Sequence, residues 1–274
     1  MTIEKYRKQW LRQHKAYEKL AYKKFVEGFK SLGNSIPFYF MTIENYNEIL
    51  NTNFKQELFF NIYYDVYKEV GIAHGERIRR QINTQVKDFT LSAFISEFER
   101  TLLTWLFNNA LERVTTVRRT YLDFLRMLIA EQVEQGKTIS QIATEIQTKV
   151  NQRDFYRYQT LRIARTETTA AANHATMVAS DNSRFELNKV WISAVDSRTR
   201  RPPKAEFNHV AINGTIVEKE KPFQVPKVGG FENLMFPGDP KGSAGNVINC
   251  RCTIALVPRK DENGNLVRKT PTII

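Results

Sequence analysis

The sequence predicts an α+β chain, a long mostly helical N-terminal region followed by a small mixed α+β C-terminal domain. Two observations carry this. From Met1 to Val190 there is one proline, Pro37, and five glycines, whereas the 84 residues from Trp191 to Ile274 hold eight prolines and seven glycines. Proline breaks helix interiors and glycine weakens them, so the first stretch can be mostly helical and the second cannot. The apolar pattern agrees: three- and four-residue spacing runs through the first stretch, and short apolar runs between turn residues make up the second.

Ile3, Tyr6, Trp10, Tyr17, Ala21, Phe25, Phe29 and Leu32 form an apolar stripe on an otherwise basic first helix, which Gly33-Asn34 ends. Pro37 to Met41 reads as an extended aromatic connector, and the patterns of 54–69, 72–87, 91–113 and 116–135 as further helices. Gly136 fits the position just past a helix, and Thr138 with Gln141 makes a capping box for a helix to Val150. The last helix, 154–179, sets Leu161, Ala164, Thr168, Ala171, Ala175 and Val178 on one face. Strands are expected at 189–195, 210–217 and 250–258, then an Asn263-Gly264 turn into a terminal strand. Composition shifts near residue 185; by motif the chain divides into a helical docking region 1–150, a compact module 151–258, and a hairpin or tail 259–274.

No run approaches the roughly 18 apolar residues of a membrane span, and the lysine- and arginine-rich first 30 residues have no apolar signal region, so membrane insertion and secretion are not expected. Two cysteines one residue apart, Cys250 and Cys252, are badly placed for a disulfide and point to synthesis in a reducing cytoplasm. The net charge of +12 sits at the two ends, with +6 on residues 1–30 and +5 on 191–274. Such a distribution suits an acidic surface or nucleic acid, and equally a solvated helix face.

Four groups carry chemistry. Arg162, Thr166, Thr169, Asn173 and Thr176 fall along one polar strip of the last helix, suited to side-chain bonding between the two parts of the chain. Asp196 to Lys204 is a turn-forming, proline-stiffened loop whose arginines can meet phosphate or carboxylate. His209 precedes Asn213-Gly214, and Pro237-Gly238-Asp239-Pro240 leads to Asn249-Cys250-Arg251-Cys252. On a strand, residues i and i+2 share a face, so Cys250 and Cys252 could address one ion, with His209 and Asp196 completing four zinc ligands. Against zinc, Cys-x-Cys lacks the usual two-to-four-residue spacing, and two buried thiols are ordinary core residues. The loop 238–245 lacks the Lys-Ser/Thr ending of a phosphate-binding loop and is read as structural.

Taken in order, Ala164-Arg165-Thr166-Glu167 with Asn173, Trp191-x4-Asp196-x-Arg198-Thr199-Arg200, His209-x4-Gly214, Phe236-Pro237-Gly238-Asp239-Pro240 and Asn249-Cys250-Arg251-Cys252 resemble the phage Mu F-like minor head protein family of tailed phages. The resemblance covers about 160–258. The stretch between Arg200 and His209 is longer than is common in the family, and the sixteen residues after Pro258 are too few for the toxin domain that some members carry.

What the resemblance implies is a head morphogenesis protein: a minor capsid component inside the virion, associated with the portal, near packaged double-stranded DNA, with no catalytic activity. Major capsid or scaffolding protein is a further expected partner. Its signature positions here are Arg165, Glu167, Asn173, Trp191, Asp196, Arg200, His209, Gly214, Gly238, Asp239, Asn249, Cys250 and Cys252. Non-specific DNA contact or portal contact is expected at Lys5, Arg7, Lys8, Arg12, Lys15, Arg198, Arg201 and Lys204, with residues 1–32 extending from the body to dock elsewhere. The competing reading is a metal-dependent hydrolase or nuclease that uses Cys250, Cys252 and His209, with Asp196 as fourth ligand or general base.

Overall fold

In the computed structural model, which describes residues 2–86, 90–152, 157–181 and 183–269, the chain is α+β. Six helices come first: α1 (Ile3–Asn34), α2 (Tyr46–Asn53), α3 (Gln56–Val86), α4 (Leu91–Glu134), α5 (Ile139–Asn151) and α6 (Arg157–Asp181). The rest is β1 (Leu187–Ile192), β2 (Ile216–Glu218), β3 (Phe223–Lys227), β4 (Gly230–Leu234), the single-turn α7 (Ala244–Val247) and β5 (Thr253–Pro258). Strands β2, β1 and β5 form an antiparallel sheet in that order, and β3 and β4 a separate hairpin.

The helices are longer than the sequence pattern divides them. The expected gap between 69 and 72 lies inside α3, and the one between 113 and 116 lies inside α4. Gly71 and Gly75 are packing notches: a Cβ added there would stand 2.1 Å from the Phe98 ring and 1.9 Å from the Phe94 ring of α4. Their purpose is the close crossing of α3 and α4, which outweighs the weak helix preference of glycine. Thr115 stays helical by returning its hydroxyl to Leu111 O at 2.9 Å. Gly33 lies in the last turn of α1 against Val150, and the cap is Ser35, whose N–H donates to Ser31 and Leu32 O. The connector after it is a 3-10 turn at Phe38–Phe40 rather than extended chain, and α2 follows unforeseen.

Other local signals are realised as read. Gly136 has φ +71; its N–H donates to Val133 O at 2.9 Å, and the Lys137 N–H to Gln132 O at 3.1 Å, the paired closure that ends α4. Thr138 and Gln141 form both bonds of the capping box that starts α5. In the C-terminal part, β1 stops at Ile192. The expected strand 210–217 shrinks to β2 because residues 209–214 turn, and β5 begins only after both cysteines. The β3–β4 hairpin follows unforeseen, with Pro226 opposite Phe231. Beyond β5, Gly264 (φ +82) turns the chain back, and the described residues there carry single bridges at Lys260–Leu266 and Phe185–Arg268 rather than a regular strand.

The first helix does not extend from the body. Tyr6, Trp10, Phe25, Phe29 and Leu32 are buried in one core with residues of α3, α4, α5 and α6, and burying each such side chain contributes about 1.5–3 kcal/mol. Its N-terminal half also bonds the C-terminal part: Tyr6 Oη to Ile254 O at 3.0 Å, Trp10 Nε1 to Arg251 O at 2.8 Å, and Arg7 Nε to Ser193 O at 2.8 Å. The stripe therefore belongs to its own core, and Arg7, expected as a DNA or portal contact, is spent internally.

Three histidines of the helices, His14, His74 and His174, are buried, and burial lowers each to about 3 from the ordinary 6.5. His74 has no hydrogen-bond partner among the described residues and sits edge-on to Trp10 and Tyr17. An unfolded chain takes up protons below about pH 6.5 that the folded rings refuse down to about 3, so stability is full above 6.5 and falls as pH drops through that window. Thermal unfolding followed against pH should show this acid loss, and His74→Phe should make it shallower; an unchanged slope would remove His74 as a cause.

Candidate functional site

Helix α6 runs through the centre of the molecule. From Ala164 to Ser180 nearly every residue is buried, so its polar side chains need partners. The partners are backbone groups of the C-terminal segments. Asn173 Oδ1 accepts from Ile254 N and Thr253 Oγ1, each at 3.0 Å, while Nδ2 donates to Pro237 O at 2.8 Å and Cys252 O at 3.4 Å. Thr166 Oγ1 accepts from Asn249 N at 3.0 Å, and Thr169 Oγ1 donates to Cys250 O at 2.5 Å. The polar strip thus bonds the two parts of the chain, although Thr176 turns back to Ala172 O of its own helix.

The other signature residues brace this junction. Glu167, buried, accepts from Tyr67 Oη at 2.7 Å and pairs with Arg113 at 3.4 Å, and Arg113 also donates to Gly238 and Asp239 O. Gly238 has φ +82 and lies so close to α6 that a Cβ would meet Ala170 N at 3.0 Å. Asp239 caps its own turn through Met235 N and Lys241 N. Arg165 pairs with Glu18 of α1 at 2.8 Å. Arg200 donates to Gly245 and Ile248 O, Trp191 Nε1 to Ser193 Oγ, and Gly214 (φ +85) N to Trp191 O. Asn249, at φ 57, takes a left-handed turn that asparagine tolerates.

His209, Cys250 and Cys252 do come together, and Asp196 does not. His209 Nδ1 lies 3.7 Å from Cys250 Sγ and 3.5 Å from Cys252 Sγ, all three buried. The extra residues between Arg200 and His209 loop outward, and His209 N still donates to Arg200 O at 3.0 Å. Asp196 instead holds Arg251 Nη2 at 2.6 Å, receives Arg198 N and Thr199 Oγ1, and so stands outside the metal-competent group. Partial burial opposes its charge, but the Arg251 bond holds its carboxyl below the ordinary range. Bonding to Cys252 pulls Cys250 down to about 7 against burial, and the same pairing with burial holds Cys252 well above the usual thiol range.

Sequence reasoning missed the outer partners. Asn246 Oδ1 meets His209 Nε2 at 2.6 Å, and Asn246 Nδ2 donates to Glu232, which also takes Ser243 N and Oγ. Nothing in the spacing of Glu232, Asn246 and His209 signals this relay, because the hairpin that presents Glu232 was not foreseen. Of the expected cation contacts, Lys5, Lys8, Arg12 and Lys15 are exposed on α1, and Arg198, Arg201 and Lys204 are exposed on the loop.

Residues 123–255 match the family described as Phage Mu protein F like protein. Over that span, from within α4 to within β5, the chain carries the family's sequence pattern, and the match reaches further upstream than the motifs alone. A curated relative, "Uncharacterized protein YqbB" of Bacillus subtilis (strain 168), is 28% identical over 130 residues, 47% of this chain. The aligned part spans 40% of that protein's length. No solved structure matches the chain.

Asn173→Ala would strip partners from buried groups of both parts at once, each orphan costing about 1–3 kcal/mol. Denaturant unfolding should show a loss of about 2–4 kcal/mol, against less than about 1 kcal/mol for Arg165→Ala at the partly exposed pair with Glu18. Equal losses would show that α6 is held by packing alone.

Proposed function

We propose that this chain is a structural head morphogenesis protein of a tailed phage, a minor capsid component that associates with the portal inside the head and contacts packaged DNA. The observation that carries the reading is the family match over 123–255, joined to the use the fold makes of the signature residues. Their polar groups hold turns and segment junctions, the use a structural scaffold makes of such side chains. The hydrolase reading loses its fourth ligand, since Asp196 is engaged by Arg251 and lies outside the His209, Cys250 and Cys252 group.

Two surfaces suit the proposed partners. Lys5, Lys8, Arg12 and Lys15 line the exposed side of α1, and Arg7 and Trp10 tie that helix beside the loop bearing Arg198, Arg201 and Lys204. A rigid array of cations reads the DNA backbone without base preference. For protein docking, Tyr39 and Phe40 are 94% and 70% exposed, with Ile43 beside them, taking over the role that the sequence alone gave to the buried stripe of α1. Such aromatics are costly to leave in water unless a partner covers them.

The full chain should therefore capture portal protein in a pull-down, and Tyr39→Ser with Phe40→Ser should weaken the capture at least about tenfold, the loss of one or two interface anchors, without lowering the melting temperature. Loss of capture through the cation substitutions instead would move the docking surface to α1. Separately, duplex DNA should bind in a salt-dependent, sequence-indifferent way, and each true phosphate contact removed from the seven exposed cations should reduce the log–log salt slope by about 0.9. No binding at low ionic strength would remove DNA from the proposal.

A further inference from the structure

His209 Nδ1, Cys250 Sγ and Cys252 Sγ lie within 4.8 Å of one another, with nitrogen–sulfur separations of 3.5 and 3.7 Å. Around a tetrahedral zinc ion with Zn–S near 2.3 Å and Zn–N near 2.0–2.1 Å, neighbouring sulfur and nitrogen donors stand about 3.5–3.6 Å apart. The two nitrogen–sulfur separations already match those of ligands.

The aim of the imidazole is fixed from behind. Asn246 gives its Nδ2–H to the Glu232 carboxylate, so its Oδ1 is the atom that meets His209 Nε2 at 2.6 Å. That oxygen can only accept, so Nε2 carries the proton and Nδ1 turns its lone pair toward the thiols. An outer carboxylate or amide orienting a histidine in this way is the usual support of a metal ligand. A single lone pair can serve one S–H, whereas two sulfurs crowd it at near-equal distance; one ion satisfies all three donors together. The Cys252 N–H, 3.5 Å from Cys250 Sγ, further favours a thiolate.

We propose that His209, Cys250 and Cys252 form a structural zinc site, oriented by Asn246 and Glu232, that ties the turn before Gly214 to the segment entering β5. The fourth position falls to a donor other than His, Cys, Asp or Glu, since among the described residues those types supply three. The short Cys-x-Cys spacing is no obstacle, because the pair lies in irregular chain ahead of β5, where a left-handed Asn249 sets its approach. This site is independent of the head morphogenesis reading and survives its failure.

The full chain, produced without a histidine tag and desalted without chelator, should carry about one zinc by elemental analysis, as a tightly held structural ion does. Cobalt(II) loaded into chelator-stripped protein should show thiolate-to-metal charge-transfer absorption. Glu232→Gln keeps every ligand and should weaken zinc binding by about 10–100-fold with unchanged circular dichroism. Cys250→Ser with Cys252→Ser should be free of zinc; if that variant does not fold, the stoichiometry and cobalt spectrum of the unaltered chain decide. Less than about 0.2 zinc per chain against the near-stoichiometric content expected of such an ion, copper in its place, absence of the charge-transfer band, or zinc retained in the double serine variant would each overturn the site.

Discussion

The structure depends on one constraint: α6 is a buried helix that carries polar side chains, and a buried polar group without a partner costs about 1–3 kcal/mol. The irregular stretch from Pro237 to Cys252 has the opposite problem, since its carbonyls and N–H groups lack ladder partners. Each supplies what the other needs. Asn173 alone joins Pro237 O, Cys252 O, Ile254 N and Thr253 Oγ1, with Thr169 and Thr166 repeating the arrangement one and two turns earlier.

That exchange explains why the motif residues are spread over ninety positions yet act together. Arg113 reaches both Glu167 of α6 and the carbonyls of Gly238 and Asp239, so a charge from α4 clamps the loop onto the central helix. Arg200 clamps the far end of the same loop through Gly245 and Ile248 O. A pattern of this kind records how a loop-rich module is held in shape. It leaves the activity to whatever the held shape presents outward.

The fold class, the capping box at Thr138, the Gly136 closure and the polar strip of α6 were legible because each is a local signal or a simple periodicity. The gap at Gly71 in α3 was misread because a notch for Phe98 looks, in one dimension, like a helix breaker. The convergence of His209 with Cys250 and Cys252 was readable as residue types, but for a reason the structure replaces: the cysteines precede the strand that was to align them. Glu232 and Asn246 could not be read at all, since a three-body relay across a hairpin, a single helical turn and a loop has no spacing of its own. Asp196 was included as a carboxylate that could complete four ligands, which its pair with Arg251 overrides.

The first helix shows how the same misreading bears on function. An apolar stripe with cations on the other faces fits equally a helix that reaches for a partner and a helix that packs on its own body. Burial of Trp10 and its bond to Arg251 O select the second. Packing does not remove the charge; it fixes it. With the stripe turned inward, Lys5, Lys8, Arg12 and Lys15 are held outward along one axis, and the Arg7 and Trp10 bonds fix that axis to Ser193 and Arg251. A flexible arm would have to lose conformational entropy to align those cations on a polyanion, whereas a docked helix presents them already ordered.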